Sequence, residues 1–250
     1  MNKITIRIVI IMALMLSCQM IVMIFKVPSY IFATPIKVIE TLVIQREILF
    51  TNSLTTITEA IIGFLLANLI SVSIALIIYL NKKLSDIIIP FAIIINAMPI
   101  IAITPLLTIW FGPGMQSKIV TVMLFCFFPS LINVLRGIRS LDIESLWLFK
   151  IYSANRLQVI KKLILPSILP YLFSALKTSS SLAVVGALVG EFIGSNKGLG
   201  FIIMSSYYSM NIPLAFSAIT ISSVFGISFY YLIHYFENKI NFDKREVKKW

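Results

Sequence analysis

Residues 56–80 read TITEAIIGFLLANLISVSIALIIYL, an apolar run in which Glu59 is the single charged side chain. A helix of about 20 apolar residues is long enough to cross the hydrocarbon core of a bilayer. Backbone N–H and C=O groups find no water at that depth, so such a run must satisfy its own hydrogen bonds as a helix. This stretch therefore predicts a membrane-spanning helix.

Similar apolar runs recur along the whole chain, which is 59% hydrophobic and only 12% charged. Soluble domains carry about a quarter charged residues, so this composition indicates that lipid is the solvent. No long polar stretch separates the runs, and we expect residues 1–250 to form one all-α integral membrane domain. The six predicted transmembrane helices are residues 4–25, 56–80, 87–110, 119–135, 172–193 and 214–236.

The basic residues are unevenly distributed between the predicted loops. With both termini in the cytoplasm, most Lys and Arg residues fall on the cytoplasmic side, as the positive-inside rule requires. The outer loops then hold only Lys26, Lys37, Arg46, Lys118 and Lys197. This distribution explains the net charge of +11 without a nucleic-acid partner, and none is expected.

The sequence contains none of the common catalytic or phosphate-binding motifs. There is no G-x-x-x-x-G-K-[ST] phosphate-binding loop, no H-E-x-x-H, no C-x-x-C and no G-x-S-x-G. Cys18 and Cys126 lie inside apolar runs, and His234 is the single histidine. The sequence therefore predicts a conduit with no catalytic residue, no metal site and no cofactor.

A basic insert, residues 136–167, separates the fourth and fifth predicted spans, and its second half contains SANRLQVIKKLILP at residues 153–166. Asn155 is suited to cap a helix, because its side-chain oxygen accepts a hydrogen bond from a free N–H of the first turn. Pro166 is expected to end that helix, since proline has no N–H to donate. The helix would cover residues 156–164, with an apolar face formed by Leu157, Ile160, Leu163 and Ile164.

Two interpretations of this helix remain open from the residues alone. A rigid helix held at the membrane surface can transmit movement to a protein docked on it. Alternatively, the helix lies on anionic lipid, held there by Arg156, Lys161 and Lys162.

The insert resembles the EAA loop of ABC importer permeases, whose pattern is EAA, three residues, Gly, nine residues and I-x-L-P. Alignment on Leu165-Pro166 places Leu163 at the Ile position and Ser153 at the Gly position. The triplet falls on residues 147–149, Trp-Leu-Phe, so this chain keeps neither the EAA triplet nor the glycine. The resemblance implies an ATPase-coupling loop whose candidate residues are Ser153, Ala154, Asn155, Arg156, Leu157, Leu163, Leu165 and Pro166.

Three further segments are similar to permeases of the nitrate, sulfonate and taurine type: PIIAITPLLTIWFGPG (99–114), FFPSLINVLRGIRSLD (127–142) and GALVGEFIGSNKGLGFII (186–203). The last of these looks most like permeases for the pyrimidine precursor of thiamine. The resemblance implies a permease subunit in the bacterial inner membrane, working as a homodimer with two ATPase subunits and an extracytoplasmic solute-binding protein. ATP hydrolysis would then belong to the partner.

The predicted fifth span carries small residues and one acid near its outer end. Gly186 and Gly190 are four residues apart, a spacing that lets two helices approach closely. This face suits a dimer seam or a moving gate, and equally suits packing within one subunit. Glu191 is expected to line the outer gate, to pair with a positive group on the binding protein, or to form an interfacial or interhelical hydrogen bond.

Two other charged residues and two prolines in the predicted spans also have an expected position or effect. Glu59 is expected to reach the outer interface, and Lys177 to extend its ammonium to the cytoplasmic one. Pro99 and Pro105 are expected to interrupt and bend the third span, which suits a helix lining a pathway and is equally common in passive membrane helices.

Two other classes of function remain compatible with these residues. One is an ion-coupled secondary transporter with Glu59 or Glu191 as the proton carrier, since charges at membrane depth are costly and usually functional. The other is a non-transporting scaffold whose basic loop recruits a partner.

Overall fold

A computed structural model describes residues 3–240, and all regular structure in that range is helical. A 3₁₀ turn covers Lys82–Leu84 and a π-helical turn covers Ile160–Ile164. The α-helices are α1 (Lys3–Ile24), α2 (Pro35–Ile44), α3 (Arg46–Leu80), α4 (Ser85–Ala97), α5 (Ile100–Phe111), α6 (Met115–Arg139), α7 (Ile143–Ile151), α8 (Arg156–Val159), α9 (Leu165–Phe192), α10 (Leu199–Tyr208) and α11 (Ile212–Lys239).

Within the described range, four helical segments are long and apolar enough to cross a membrane: α3, α6, α11 and the continuous run Arg156–Phe192. Helices α4 and α5 pass the same test only as a pair, which is bent by 99°. The all-helical membrane fold predicted from the sequence is confirmed, with four or five such spans. The helices also extend beyond the predicted bounds, most clearly α3, which begins ten residues before Thr56.

The break in the predicted third span lies at Met98-Pro99. Met98 has an extended conformation with ψ 134°, as expected for a residue that precedes proline. Pro99 follows with ψ 99°, and α5 begins after it. The bend predicted at Pro99 is therefore present, whereas Pro105 lies inside α5 without interrupting it.

The expectation that Pro166 ends the loop helix is wrong. Helix α8 continues through the π-helical turn into α9, giving one run from Arg156 to Phe192. In the π turn, Leu165 N–H donates to the carbonyl of Ile160, five residues back. Pro166 follows directly on the π-helical turn, and this wider turn accommodates the proline ring within the continuous helix.

Helix α6 lies at the centre of the bundle and packs mainly against α9 and α3. Glycine lets α3 and α9 each come close to α6. On α3, a Cβ at Gly63 would overlap the side chain of Val122 in α6. On α9, a Cβ at Gly186 would lie 2.9 Å from the Cα of Val122. The buried apolar residues around this crossing form the central core: Ala60, Phe64, Ala67, Val122, Cys126, Ala183, Ala187 and Phe229.

Buried polar side chains also join these three helices. Ser130 of α6 donates to Asn68 Oδ1 of α3 at 2.7 Å, and its hydroxyl lies 2.8 Å from that of Ser179 in α9. Ser71 of α3 donates to the carbonyl of Phe127 at 2.9 Å. Interhelical hydrogen bonds of this kind contribute roughly 0.6 to 1.7 kcal/mol each inside membrane bundles.

Candidate functional site

The loop between α6 and α9 is an ordered helical hairpin. Helix α7 ends in a tight turn, in which the N–H of Ser153 donates to Lys150 O and the N–H of Ala154 donates to Phe149 O. Ser153 has φ +51°, a left-handed conformation that favours glycine. Ser153, which aligns with the glycine of the EAA pattern, therefore adopts a backbone conformation that glycine reaches more easily.

Helix α8 begins with a reciprocal pair of capping bonds. Asn155 Oδ1 accepts from the N–H of Gln158, and Gln158 Oε1 accepts from the N–H of Asn155, both at 2.8 Å. Two backbone donors at the start of the helix are thereby satisfied, which fixes where the helix begins. The cap predicted at Asn155 is confirmed, together with a partner that the sequence reading did not name.

An apolar surface on α7 and α8 is left uncovered by the rest of the described chain. Its most exposed member is Tyr152, with 77% of its surface accessible. A shallow cavity of about 330 Å³ lies beside it, between Phe149 and Lys162. We call this area the α7–α8 surface and define it by Trp147, Leu148, Ile151, Tyr152 and Leu157.

The predicted coupling residues fall into two groups in the structure. Ala154 and Leu163 are half-buried, and the fully buried position in this segment is Ile164, which packs in the core. The expected apolar face is therefore divided, with Leu157 outward and Ile164 inward. The exposed group consists of Ser153, Asn155, Arg156, Leu157, Leu165 and Pro166.

The sequence did not predict most of the α7–α8 surface, because residues 147–149 depart from the EAA triplet and no contact role was expected for them. The structure shows that Trp147 and Leu148 are exposed there, and Lys150 Nζ lies 4.9 Å from the centre of the Trp147 ring. Large apolar side chains beside a charged loop were the available signal, since such patches on a protein surface usually mark a contact site.

The opposite, predicted outer, end of the bundle contains a buried polar cluster around the start of α10. Glu191 is only 1% exposed. Its Oε1 accepts from the Thr56 hydroxyl at 2.7 Å, and its Oε2 accepts from the N–H of Gly200 at 2.6 Å. Thr56 Oγ1 also accepts from the N–H of Leu199, at 2.8 Å.

Asn52 completes this cluster, because its Oδ1 accepts from the N–H of Gly198 at 2.7 Å. Gly198 has φ +103°, and a Cβ there would overlap the Glu191 carboxylate. We call Asn52, Thr56 and Glu191, with the three N–H groups they bind, the α10 anchor. Both carboxyl oxygens of Glu191 are thus bonded within the α10 anchor, and its role at the outer gate or toward a binding protein stays a prediction.

Lys118 was expected in an outer loop but is buried, with 1% of its surface exposed. Its Nζ donates to Pro113 O at 2.6 Å, with Ser117 Oγ at 3.3 Å and Gly194 O at 3.5 Å. The carbonyls solvate the ammonium in place of water, which explains how a lysine fits inside the bundle. The lysine also ties the turn before α6 to the end of α9.

Glu59 was expected at the outer interface and is instead 2% exposed, so that expectation is wrong. Its Oε2 is buried without a hydrogen-bond partner among the described residues. Its carboxyl forms a side-chain hydrogen bond with the carboxyl of Glu191 and lies near Lys118, with which it forms no ion pair. Glu59 therefore belongs to the same buried polar group as Glu191 and Lys118.

Lys177 does not simply extend toward the interface. Its Nζ forms an ion pair with Glu237 of α11, at 2.8 and 3.0 Å from the two carboxylate oxygens. Both side chains are about one-fifth exposed, so the pair contributes at most about 1 kcal/mol. It fastens α9 to α11 at the end of the bundle opposite the α10 anchor.

Gly186 and Gly190 both face α6 of the same chain. A Cβ at Gly190 would lie 3.1 Å from the Cα of Lys118. Gly186, four residues earlier, makes a similarly close approach to Val122. This face therefore packs against α6 of the same subunit, and its role as a moving gate or a dimer seam stays a prediction.

The fold and these two sites define a helical membrane protein with an exposed helical hairpin at one end and an anchored short helix at the other. Residues 67–242 match the family described as binding-protein-dependent transport system inner membrane component. The chain belongs to this family and is a membrane permease component of an ABC transport system.

Several curated proteins are similar to this chain. A probable ABC transporter permease protein of Haemophilus influenzae is 34% identical, over 88% of this chain and 90% of its own length. The formylaminopyrimidine transport permease protein ThiX of Halalkalibacterium halodurans is 30% identical, over 84% of each chain. A putative aliphatic sulfonates transport permease protein, SsuC of Bacillus subtilis, is 30% identical over 80% of this chain and 73% of its own.

A solved structure has a similar fold. It is described as an inward-facing conformation of the MetNI methionine ABC transporter, and it is 19% identical with a TM-score of 0.62. The similarity covers 80% of this chain and 96% of the other. At this identity the match supports the helical architecture and carries no information on the solute.

Proposed function

We propose that this permease component imports a small organic solute, with a thiamine pyrimidine precursor as the best candidate, using ATP hydrolysed by a separate subunit. Sulfonates, taurine and nitrate form the next group of candidate solutes. The working assembly would be two copies of this chain, two ATPase subunits and an extracytoplasmic binding protein. The chain itself would form one domain in the inner membrane, with both termini cytoplasmic. Helix α1 would cross the membrane in addition to the four long spans and the bent pair of α4 and α5, which makes six spans.

The observation that carries this proposal is the uncovered α7–α8 surface on an ordered hairpin. Aromatic and apolar side chains at 57% to 77% exposure, as in Trp147 and Tyr152, are typical of a contact site rather than of a solvated loop. The left-handed Ser153 and the capping bonds of Asn155 hold this surface in one shape. A preformed surface loses little entropy when a partner docks.

The hairpin is mechanically connected to the other end of the bundle. The run Arg156–Phe192 is one helical segment, about 55 Å long at about 1.5 Å per residue. It begins at the α7–α8 surface and ends beside Glu191 of the α10 anchor. Movement imposed on the hairpin by ATP binding would therefore reach α10 through a stiff element.

The docking role is tested by co-purification of the ATPase with the full chain from membranes in mild detergent. We expect Trp147→Asp combined with Tyr152→Asp to lower the recovered ATPase at least tenfold, because two charges would replace apolar contact area. Tyr208→Asp is the matched control, since Tyr208 is 75% exposed but lies on α10. Equal recovery from all three proteins would refute the assigned docking surface.

A second candidate function is favoured by the buried carboxyl of Glu59 beside that of Glu191, which an ion-coupled transporter would use as its proton carrier. Solute uptake into membrane vesicles distinguishes the ATP-driven importer from the ion-coupled transporter. The importer requires ATP and the ATPase subunit and is insensitive to a protonophore at fixed ATP concentration. The ion-coupled transporter works without ATP and is stopped by the protonophore.

A further inference from the structure

A cavity of about 620 Å³ opens at the base of the helical hairpin, at the end of the bundle that carries the α7–α8 surface. It lies between the last turn of α3, the first turn of α4, the end of α6 and helix α7. Its volume falls within the roughly 300–1,000 Å³ of sites that hold a small molecule. Because α3 and α6 end beside it, the cavity lies where these spans leave the hydrocarbon.

The wall of this cavity has an apolar part and a cationic part. Ile78, Leu135 and Ile138 form much of the apolar part. Lys83 and Arg139 form the cationic part, and both are exposed. Neither of these two side chains has an ion pair or a hydrogen bond with another residue of the described range. The two positive groups are therefore available to an anion.

The charges around the cavity nearly balance. Asp86 is the one acidic residue among the described residues that line it, so two basic groups and one acidic group give a net charge of +1. A ligand with a single negative charge would neutralise this lining. The Asp86 carboxylate accepts hydrogen bonds only, and hydroxyl groups on such a ligand would satisfy it.

Cations beside an apolar wall favour a lipid over a soluble anion. Basic pockets between spanning helices on the cytoplasmic side bind lipid headgroups, and the distribution of Lys and Arg predicts that this end is cytoplasmic. A soluble phosphate would leave the apolar wall uncovered, whereas an acyl chain would cover it. Tyr79, half-buried on the same wall, is typical of the level at which headgroups lie.

Helix α7 has few contacts of its own that would hold it over this cavity. None of its nine residues is fully buried, and Leu146 is the residue of α7 that lines the cavity. An apolar chain in the cavity would give Leu146 a packing partner. The occupant would thereby support the hairpin from beneath.

We propose that this cavity binds one molecule of phosphatidylglycerol, a phospholipid with one negative charge and two headgroup hydroxyls. Its phosphate is held by Lys83 and Arg139, its hydroxyls face Asp86, and an acyl chain lies along Ile78 and Ile138. This inference goes beyond the proposed import function, because it assigns a bound lipid whichever solute is carried.

The test measures lipid binding to the delipidated permease–ATPase complex in mild detergent by native mass spectrometry. We expect wild type to bind phosphatidylglycerol at least about tenfold more tightly than phosphatidylethanolamine with the same acyl chains, since the latter has no net charge. Lys83→Gln combined with Arg139→Gln should abolish that preference. The matched control is Lys37→Gln combined with Lys197→Gln, which removes two exposed cations at the predicted outer end and should keep it.

The unfolding midpoint without added lipid shows that each variant is folded, and added phosphatidylglycerol should raise it for wild type and not for the Lys83 and Arg139 variant. Equal binding of the two lipids by wild type would overturn the assignment, as would an unchanged preference in that variant. An equal loss of preference in the control would show general attraction to a cationic protein and would overturn it too.

Two further outcomes would assign the cavity to another occupant and overturn the lipid. One is displacement of phosphatidylglycerol by inorganic phosphate, which would indicate a soluble anion. The other is loss of the ATPase from the folded Lys83 and Arg139 variant with its lipid preference intact, which would indicate a protein contact.

Discussion

Glu191 shows how one residue of α9 completes the structure of another helix. The first N–H groups of a helix have no partner within it, and Gly198, at the start of α10, has no side chain to provide one. Glu191 and Thr56 satisfy these groups from α9 and α3.

Replacing Glu191 by Ala should therefore destabilise the protein by about 2–4 kcal/mol, since the N–H of Gly200 and the hydroxyl of Thr56 lose their acceptor. Glu191→Gln keeps one acceptor oxygen and should cost less than half as much. Denaturant titration in detergent, with Glu47→Gln as an exposed control, measures both. Equal stability of the alanine variant and wild type would contradict the anchor.

Ser153 is a second residue with a specific backbone requirement. At φ +51° a residue with a side chain is strained in the folded protein by about 1–2 kcal/mol relative to glycine. Glycine, however, gives the unfolded chain more conformational freedom, which lowers the free energy of unfolding by up to about 1 kcal/mol. We expect Ser153→Gly to be neutral or stabilising by up to about 1 kcal/mol. Ser153→Val, branched at Cβ, should be clearly destabilising. The two variants are compared by the unfolding free energy and by ATPase recovery, and the reverse order would contradict a left-handed turn.

At the scale of elements, the capping bonds decide how firmly the hairpin is held. Asn155→Ala removes the acceptor for the N–H of Gln158 and should weaken the start of α8 by about 1 kcal/mol. Backbone amides just after the cap should then exchange with deuterium about fivefold faster, while amides in the middle of α6 are unchanged. Unchanged exchange at both places would show that packing alone fixes this helix.

The boundaries of elements were only partly predictable. Pro99 bends its span because it forces Met98 into an extended conformation, a local effect that sequence reveals. Pro166 has the same local chemistry but sits behind a π-helical turn, with Ile164 and Ile168 buried in the core on either side. Packing of these residues holds the helix continuous, and no local rule contains that information.

At the scale of the whole molecule, the crossing of α6 and α9 depends on glycine. Gly186→Ala should destabilise the protein by about 1–3 kcal/mol, because the new methyl group would press on the Cα of Val122. Gly226→Ala is the matched control in α11, where the nearest atom, of Val184, is 3.8 Å away. We expect that variant to gain up to about 1 kcal/mol from helix propensity.

These two variants are compared by thermal unfolding at low protein concentration and by the mass of the assembly. If Gly186→Ala leaves the unfolding midpoint unchanged and instead dissociates the assembly, the glycine face belongs to a contact between copies of the chain. Loss of stability without a change of mass supports packing within one subunit.

The sequence by itself determined that this is an all-helical membrane protein with a basic, structured insert, because hydrocarbon permits only backbones that satisfy themselves. It also located the cap at Asn155 and the bend at Pro99, since both follow from chemistry within a few residues. Only the tertiary structure decided that Lys118, Glu59 and Glu191 are buried together and that Trp147 and Tyr152 remain uncovered. These are contacts between segments far apart in the chain, and a side chain's burial depends on what the other helices place against it.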